Sequence, residues 1–412
     1  MKHSTSTRLA LRNTLRRPTR TVLTAGMVVC SVALLLVALS WLRGMFGGLL
    51  TTAAALDGHV RIVTRPFAAR EELVPLYENI AETAPLVERL RAAPRVTAVL
   101  PRIVTGVTVS VGEEIGDVLA PLIGGELSYF RDKLGVADKL TAGRFFSGSG
   151  DEVIAGVKLV EELGAKLGDE LLLLGMTQDG SLSPIKPKLV GIVRMGGGRL
   201  DQQLFVPLPA VQFLTDIEGG ATELLVYGER FDEAPQLARE LAALPELATY
   251  DVRAWSVREP WKSLSGTMRA IEGVIVAVIV FLTALGIWNT MMMSVLERTH
   301  EIGVLRALGL SRWGTVRMFV GEALAIAFVG GLLGLALGAF PAWWLQEHGI
   351  HLGSRVAASS NVVVSETVYG RLTWDAALSS LGLGLLMACL GSLVPALRAA
   401  SIEPVSAMRS GR

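Results

Sequence analysis

The 412 residues are 51% hydrophobic and only 19% charged, with a mean hydropathy of +0.47, which is too apolar for an average soluble protein. Thirty-nine basic and 38 acidic side chains leave a net charge of +1, which gives nucleic acid or any other polyanionic partner no footing. Both cysteines, Cys30 and Cys389, fall in apolar runs, so the soluble part is expected to fold without disulfides.

Residues 1–20 carry Lys2, Arg8, Arg12, Arg16, Arg17 and Arg20 and no acid, the excess that marks a cytoplasmic flank. Within them Arg8–Arg17 reads as a short helix, with Leu9, Leu11 and Leu15 among arginines. It is either a membrane-surface anchor, with Arg8, Arg12, Arg16, Arg17 and Arg20 on anionic lipid, or simply a topology signal. Four stretches then lack charge over about the 20 residues a helix needs to cross ~30 Å of hydrocarbon: Thr21–Leu42, Gly273–Leu296, Ala323–Leu345 and Ala376–Leu397. The first ends in Trp41-Leu42-Arg43, without the short core and small-x-small site of a cleaved signal peptide, and is expected to remain as a span.

These runs predict a membrane protein with four transmembrane α-helices and one large extracytoplasmic α+β domain between helices 1 and 2. Its parts are a cytoplasmic segment 1–20, spans at 21–46, 271–296, 318–345 and 374–397, and the extracytoplasmic domain 47–268. A cytoplasmic connection 297–313, an outer loop 346–373 and a cytoplasmic tail 398–412 complete it. Arg298, Arg306, Arg312 and Arg317 between the second and third spans, and Arg398, Arg409 and Arg412 in the tail, agree with both termini inside. In the outer domain, strand-like runs cover His59–Val63, Val96–Val99, Val104–Val111, Leu171–Leu174, Lys188–Val193 and Glu223–Tyr227. Helix-like runs cover Pro85–Ala92, Lys158–Leu167 with Gly168 as its cap, and Ala234–Leu244.

No G-x-x-x-x-G-K-[ST] phosphate loop occurs in these residues. His300-Glu301 begins like a zinc-protease motif, but Val304 stands where the second histidine belongs. Ser149 lies in Gly148-Ser149-Gly150, without nucleophile-elbow spacing. His348 and His351 have no acidic or thiol ligand beside them. No catalytic residue, metal site or bound cofactor is therefore expected.

Asn289–Gly338 is the informative stretch. After the second span, Glu297, Arg298, His300 and Glu301 precede Ile302, Leu305 and Leu308, which on a helix would share an apolar side. Arg298 and Glu301, three apart, can pair; Gly309 is placed to end the helix and Ser311 to cap the next. The segment is either a plain connector or a rigid docking helix. Gly330, Gly334 and Gly338 repeat small-x-x-x-Gly steps in the third span, for close packing within or between subunits, and Pro341 is placed to kink it. Arg43, Glu272 and Glu322 stand at span ends, as interfacial charges or a polar pathway, and no span carries an ionisable residue near its middle, which argues against ion-coupled transport.

The sequence resembles the permease subunits of the MacB/LolC/LolE/FtsX superfamily of ABC transporters. The resemblance rests on Ala10-Leu11-Arg12-Asn13-Thr14-Leu15-Arg16-Arg17-Pro18 before the first span and on Glu152-Val153-Ile154-Ala155-Gly156 with Leu163-Gly164 and Gly168-Asp169 in the outer domain. Gly286-Ile287-Trp288-Asn289-Thr290, Glu297-Arg298, Glu301-Ile302-Gly303, Arg306-Ala307 and Leu308-Gly309 follow, then Gly330-Gly331 and Pro395-Ala396-Leu397-Arg398. It implies that Glu297, Arg298, Glu301, Ile302, Gly303, Arg306 and Gly309 form a coupling helix on a separate cytoplasmic ABC ATPase, present in two copies and carrying ATP and Mg. It further implies a second permease copy or paralogue and mechanotransmission to the outer domain in place of a central pore. MacB exporters carry a fused ATPase before the first span, whereas twenty residues precede it here.

Three functions are compatible with the resemblance. Lipoprotein release from the inner membrane to a periplasmic carrier, as in LolC and LolE, is favoured by the motor-free organisation and by Trp255 just before the second span. MacB-like efflux with a periplasmic adaptor is favoured by Arg12-Asn13 and Glu297-Arg298-Thr299. FtsX-like signalling to a cell-wall hydrolase is disfavoured by the size of the outer domain.

Overall fold

The computed structural model describes residues 18–112, 118–148, 150–196, 198–259, 261–351 and 367–403. The expectations for Arg8, Arg12, Arg16, Arg17, Ser149, Arg409 and Arg412 lie outside these residues; Arg20 falls within the first helix. Two compact units result, one of 47–266 with 351–368, the other of 1–46, 267–350 and 369–412.

In chain order the helices are α1 (Pro18–Asp57), α2 (Arg65–Ala69), α3 (Ala84–Arg91), α4 (Val157–Leu163), α5 (Leu208–Thr215), α6 (Ala234–Ala242), α7 (Trp261–Glu297), α8 (Thr299–Ala307), α9 (Arg312–His348) and α10 (Trp374–Ser401). The strands of the large sheet are β1 (Val60–Thr64), β2 (Val96–Val111), β3 (Val118–Gly125), β4 (Leu140–Gly143), β5 (Glu152–Gly156), β6 (Leu171–Met176), β7 (Leu182–Ile185), β8 (Lys188–Val193), β9 (Leu204–Pro207), β10 (Glu223–Gly228) and β11 (Tyr250–Ala254).

The four helices α1, α7, α9 and α10 are long and apolar enough to cross a membrane. The first has 40 residues, about 60 Å at 1.5 Å per residue, twice the ~30 Å of hydrocarbon it has to cross. Helix formation thus outruns the apolar run at both ends, because a charge marks where lipid stops and not where backbone hydrogen bonding stops. Val28, Val32, Leu35, Ile287, Phe319, Ala323 and Met387 bury the common core of this unit.

The other unit is built on an eleven-stranded sheet of order β11–β1–β10–β2–β3–β9–β5–β8–β4, with β6 paired to β2 and β7 to β6. Its spine is β2, 16 residues long. Strand β3 lies along one edge of it, from Arg102 to Val109. The other edge is shared by β10, which pairs up to Arg102, and β6, which pairs from Val107 onward. The two strands expected at Val96–Val99 and Val104–Val111 are therefore one. Pro101, which separates them in sequence, has only β10 beside it, since pairing to β3 begins at Arg102; a strand with one free edge tolerates the missing N–H.

Separate apolar clusters cover the two halves of the sheet. Val107, Leu122, Leu173, Leu204, Val211 and Leu214 fill one; Val60, Ile62, Val87, Leu224, Leu237 and Trp255 fill the other. The helix expected over Lys158–Leu167 ends at Leu163. Gly164 takes φ +64° and donates its N–H to Glu161 O, the left-handed cap a Cβ would strain, whereas Gly168 belongs to the following turn, bonded to Leu189 O.

Candidate functional site

The segment between the second and third spans forms one short helix held at both ends. Helix α7 stops at Glu297, Arg298 leaves the helical geometry at φ −101°, ψ 13°, and α8 begins at Thr299. After Ala307, Gly309 at φ +97° reverses the chain, and Ser311 Oγ accepts the Gly314 N–H at 3.1 Å to open α9, as its position suggests.

The pairing expected between Arg298 and Glu301 does not form. Arg298 sits at the break, so its side chain departs from the helical face that would meet Glu301; Nη1 instead donates to Glu322 Oε2 at 3.2 Å and Oε1 at 3.4 Å. Glu322 is buried in α9. This places Glu322, which the sequence suggests only as a span-end charge, at the root of the segment between α7 and α9. Near the other end of α8, Arg306 Nη1 donates to the carbonyl of Ile402 just past α10. The short helix is thus joined to α7 through the single non-helical residue Arg298, tied to α9 by an ion pair and to the end of α10 by a hydrogen bond.

The apolar side expected from Ile302, Leu305 and Leu308 is not a single buried face. Ile302 and Gly303 are buried, but Leu305 is 40% and Leu308 80% exposed. Leu308 is already the C-cap, where the chain begins to turn away. The exposed side therefore combines Glu297, His300, Glu301, Leu305 and Leu308. Trp313 is exposed next to it in sequence and lines, with Arg312, Val316, Leu397, Ala400 and Ser401, a cavity of about 250 Å³. Acidic and apolar side chains together suit a protein groove better than a lipid headgroup layer.

Gly330, Gly334 and Gly338 face α1 of the same chain. A Cβ on Gly334 would lie 2.7 Å from Val29 O, one on Gly338 2.9 Å from Ala33 O, and one on Gly330 3.2 Å from Ala25 O. Removing the side chain lets the two backbones meet. Between α1 and α7, Ser31 and Thr283 hydroxyls lie 2.6 Å apart, and Thr24 Oγ1 donates to Thr290 Oγ1 at 3.2 Å. Toward the other end of the spans Arg43 joins three helices, pairing with Glu272 Oε1 at 3.4 Å and with Asp375. Two of the three span-end charges thus meet each other, while Glu322 serves Arg298. His348 stacks on Trp344, and His351 shares a hydrogen bond with Thr367 at 2.9 Å.

Comparison with known proteins matches residues 273–404 to the FtsX-like permease C-terminal family and residues 21–244 to the MacB-like periplasmic core domain. The lipoprotein-releasing system transmembrane protein LolC of Neisseria meningitidis serogroup B is 27% identical over 295 residues, 66% of this chain and 68% of LolC. The macrolide export ATP-binding/permease protein MacB of Escherichia coli is 27% identical over 155 residues, 37% of this chain and 22% of MacB. An uncharacterized ABC transporter permease of Bacillus subtilis, YknZ, is 27% identical over 146 residues, 35% of this chain and 32% of its own. Among solved structures, the periplasmic region of MacB from Actinobacillus actinomycetemcomitans aligns with a TM-score of 0.35 at 14% identity, covering 51% of this chain and 92% of that one.

Proposed function

We propose, for a chain that belongs to the MacB/LolC/LolE/FtsX superfamily of ABC transporter permeases, that it transmits the motion of a cytoplasmic ATPase on a separate chain to its domain between α1 and α7, and thereby releases acylated proteins from the membrane. The observation that carries the reading is the three-way attachment of α8: joined to α7 through one residue, paired to α9 through Arg298 and Glu322, and bonded past α10 through Arg306. A helix so held moves with the spans when pushed. Glu297, Glu301, Leu305 and Leu308 form the surface offered to the ATPase, which binds ATP and Mg.

The basic flank of 1–20 and the arginines between α7 and α9 support a topology with both termini cytoplasmic, in the inner membrane. A second copy of the chain, or a paralogue, completes the permease pair on two ATPase copies. Acylated cargo is favoured because the relative named for lipoprotein release aligns over about two thirds of both chains. Lifting an acyl chain from lipid costs ~0.8 kcal/mol per methylene, about 10 kcal/mol for a dozen of them, which requires a motor.

Photo-crosslinking tests this reading. A photoreactive residue in the domain near the membrane, in cells making the full chain, is expected to capture acylated proteins or their soluble carrier. Capture of soluble peptides or small molecules with an adaptor, and never acylated protein, would replace release by efflux, the reading that the match to the MacB-like periplasmic core favours.

A further inference from the structure

The domain between α1 and α7 contains a buried cluster of charge where hydrophobic contact would suffice for folding. Arg102 on β2 and Glu223 on β10 are register partners. Arg102 Nε donates to Glu223 Oε1 at 2.9 Å, and Arg61 Nε on β1 lies 2.5 Å from Glu223 Oε2, an ion pair without hydrogen-bond alignment. All three residues are buried. Arg61 also reaches Glu71, which Arg258 Nη2 meets at 3.0 Å.

Several further donors around this cluster reach the end of α1 or the start of α7. The last carbonyls of a helix have no partner within it and carry its negative dipole end. Here Leu56 O accepts from Arg102 Nη1 and from Tyr129 OH, the latter at 2.9 Å, and Ala55 O accepts from Tyr227 OH at 2.9 Å. Arg102 Nη1 also donates to Tyr129 OH at 2.9 Å. Burial pushes the Tyr129 phenol up to about 12 against the opposing charge of Arg102, so it keeps the proton it donates to Leu56. Arg102 Nη2 holds Asp57 Oδ1 at 3.2 Å, and the other oxygen of Asp57 accepts from Trp261 Nε1 at 2.7 Å. Trp261 is the first residue of α7.

Two helices that continue as membrane spans, one ending at Asp57 and one starting at Trp261, are thus bonded to each other and to three adjacent strands. Buried ion clusters are costly compared with apolar packing of the same shape; what they supply is direction, since each guanidinium bond fixes an angle that dispersion contacts do not. We propose that the Arg102–Glu223–Arg61 cluster, with Asp57 and Trp261 as its positioning residues, is a rigid joint that makes the ends of α1 and α7 move as one body with the sheet. Its mechanical use rests on the transmission reading above; its rigidity does not.

The test uses the full chain in nanodiscs, Cys30 and Cys389 replaced by serine, with nitroxide labels at Thr51→Cys on α1 and Leu119→Cys on β3, both exposed positions. Pulsed electron paramagnetic resonance is expected to give one narrow distance distribution. Trp261→Phe, which keeps a ring but removes the N–H, and Asp57→Asn, which keeps shape but removes charge, are each expected to broaden it about twofold as excluded conformations return. In proteoliposomes with the co-purified ATPase, the acylated protein released per ATP hydrolysed is expected to fall about tenfold in the same variants, the factor of one charge-assisted hydrogen bond. Equal widths in all three chains overturn the joint, whatever the cargo. Broadening with release per ATP unchanged overturns its mechanical use, and a parent chain that is rigid but releases nothing leaves the joint standing and sinks the function proposed above.

Discussion

Replacing Arg298 by alanine leaves the Glu322 carboxylate buried at 7% exposure with its cation gone. Removing one partner of a buried pair costs about 3 kcal/mol or more. We therefore expect Arg298→Ala to lower the melting temperature of the detergent-solubilised chain, and the exchange Arg298→Glu with Glu322→Arg to recover most of the loss. A double variant no more stable than Arg298→Ala would show that the two side chains do not meet. The partner of Arg298 was not legible in the sequence, since periodicity names neighbours on one helix, at Glu301, and not a residue 24 positions away across a turn.

Glu223 gives the domain a pH limit. Burial pushes its carboxyl up, but the charges of Arg102 and Arg61 outweigh burial and hold it down at about 2. A carboxyl lowered on folding stabilises fully above its unfolded value of 4.5, and that stability is lost as pH falls from there toward 2. The contribution is on the order of 3 kcal/mol. Unfolding followed by tryptophan fluorescence is expected to show the midpoint falling between pH 4.5 and 2 in the parent chain and falling less steeply in Glu223→Gln; parallel curves would remove Glu223 from the account.

At the scale of elements, the packing of α9 on α1 depends on missing side chains. A leucine at position 334 would place its Cβ 2.7 Å from Val29 O and 3.0 Å from Val32 Cβ, and backbone cannot yield as a flexible side chain does. Gly334→Leu is expected to cost about 1–3 kcal/mol by overpacking, read as a lower melting temperature. Gly382→Leu on α10, with open space around its backbone, is expected to leave the melting temperature unchanged; equal losses at both positions would deny the contact. The glycine spacing was visible in the sequence, yet not which helix it faces. Helix ends were legible where residues signal them, as at Pro85, Gly309 and Ser311. Charge marked the expected first span, 21–46, whereas α1 runs on to Asp57, because an ion leaves lipid well before a helix must stop.

For the whole molecule, the order of four apolar runs around one soluble domain was readable because burial in lipid demands uninterrupted apolar residues. The sheet was not, since its pairings join residues remote in the chain, such as Val60 with Ala254 and Val60 with Val226, and strand-like runs carry no record of their neighbours. The buried cluster at Asp57, Arg102 and Glu223 was illegible for the same reason: its members come from five separate elements, counting Arg61 and Trp261. The function proposed above treats α8, α7, α1 and the sheet as one mechanical path.

The direct measurement of that path is the amount of acylated protein released per ATP hydrolysed in proteoliposomes holding the full chain and its co-purified ATPase, compared with Glu301→Lys. Glu301 is exposed on α8, so its reversal should leave the melting temperature unchanged. The account predicts a ratio about tenfold lower, the scale of one interfacial charge contact reversed. An unchanged ratio in Glu301→Lys, or release that proceeds without ATP, would contradict it.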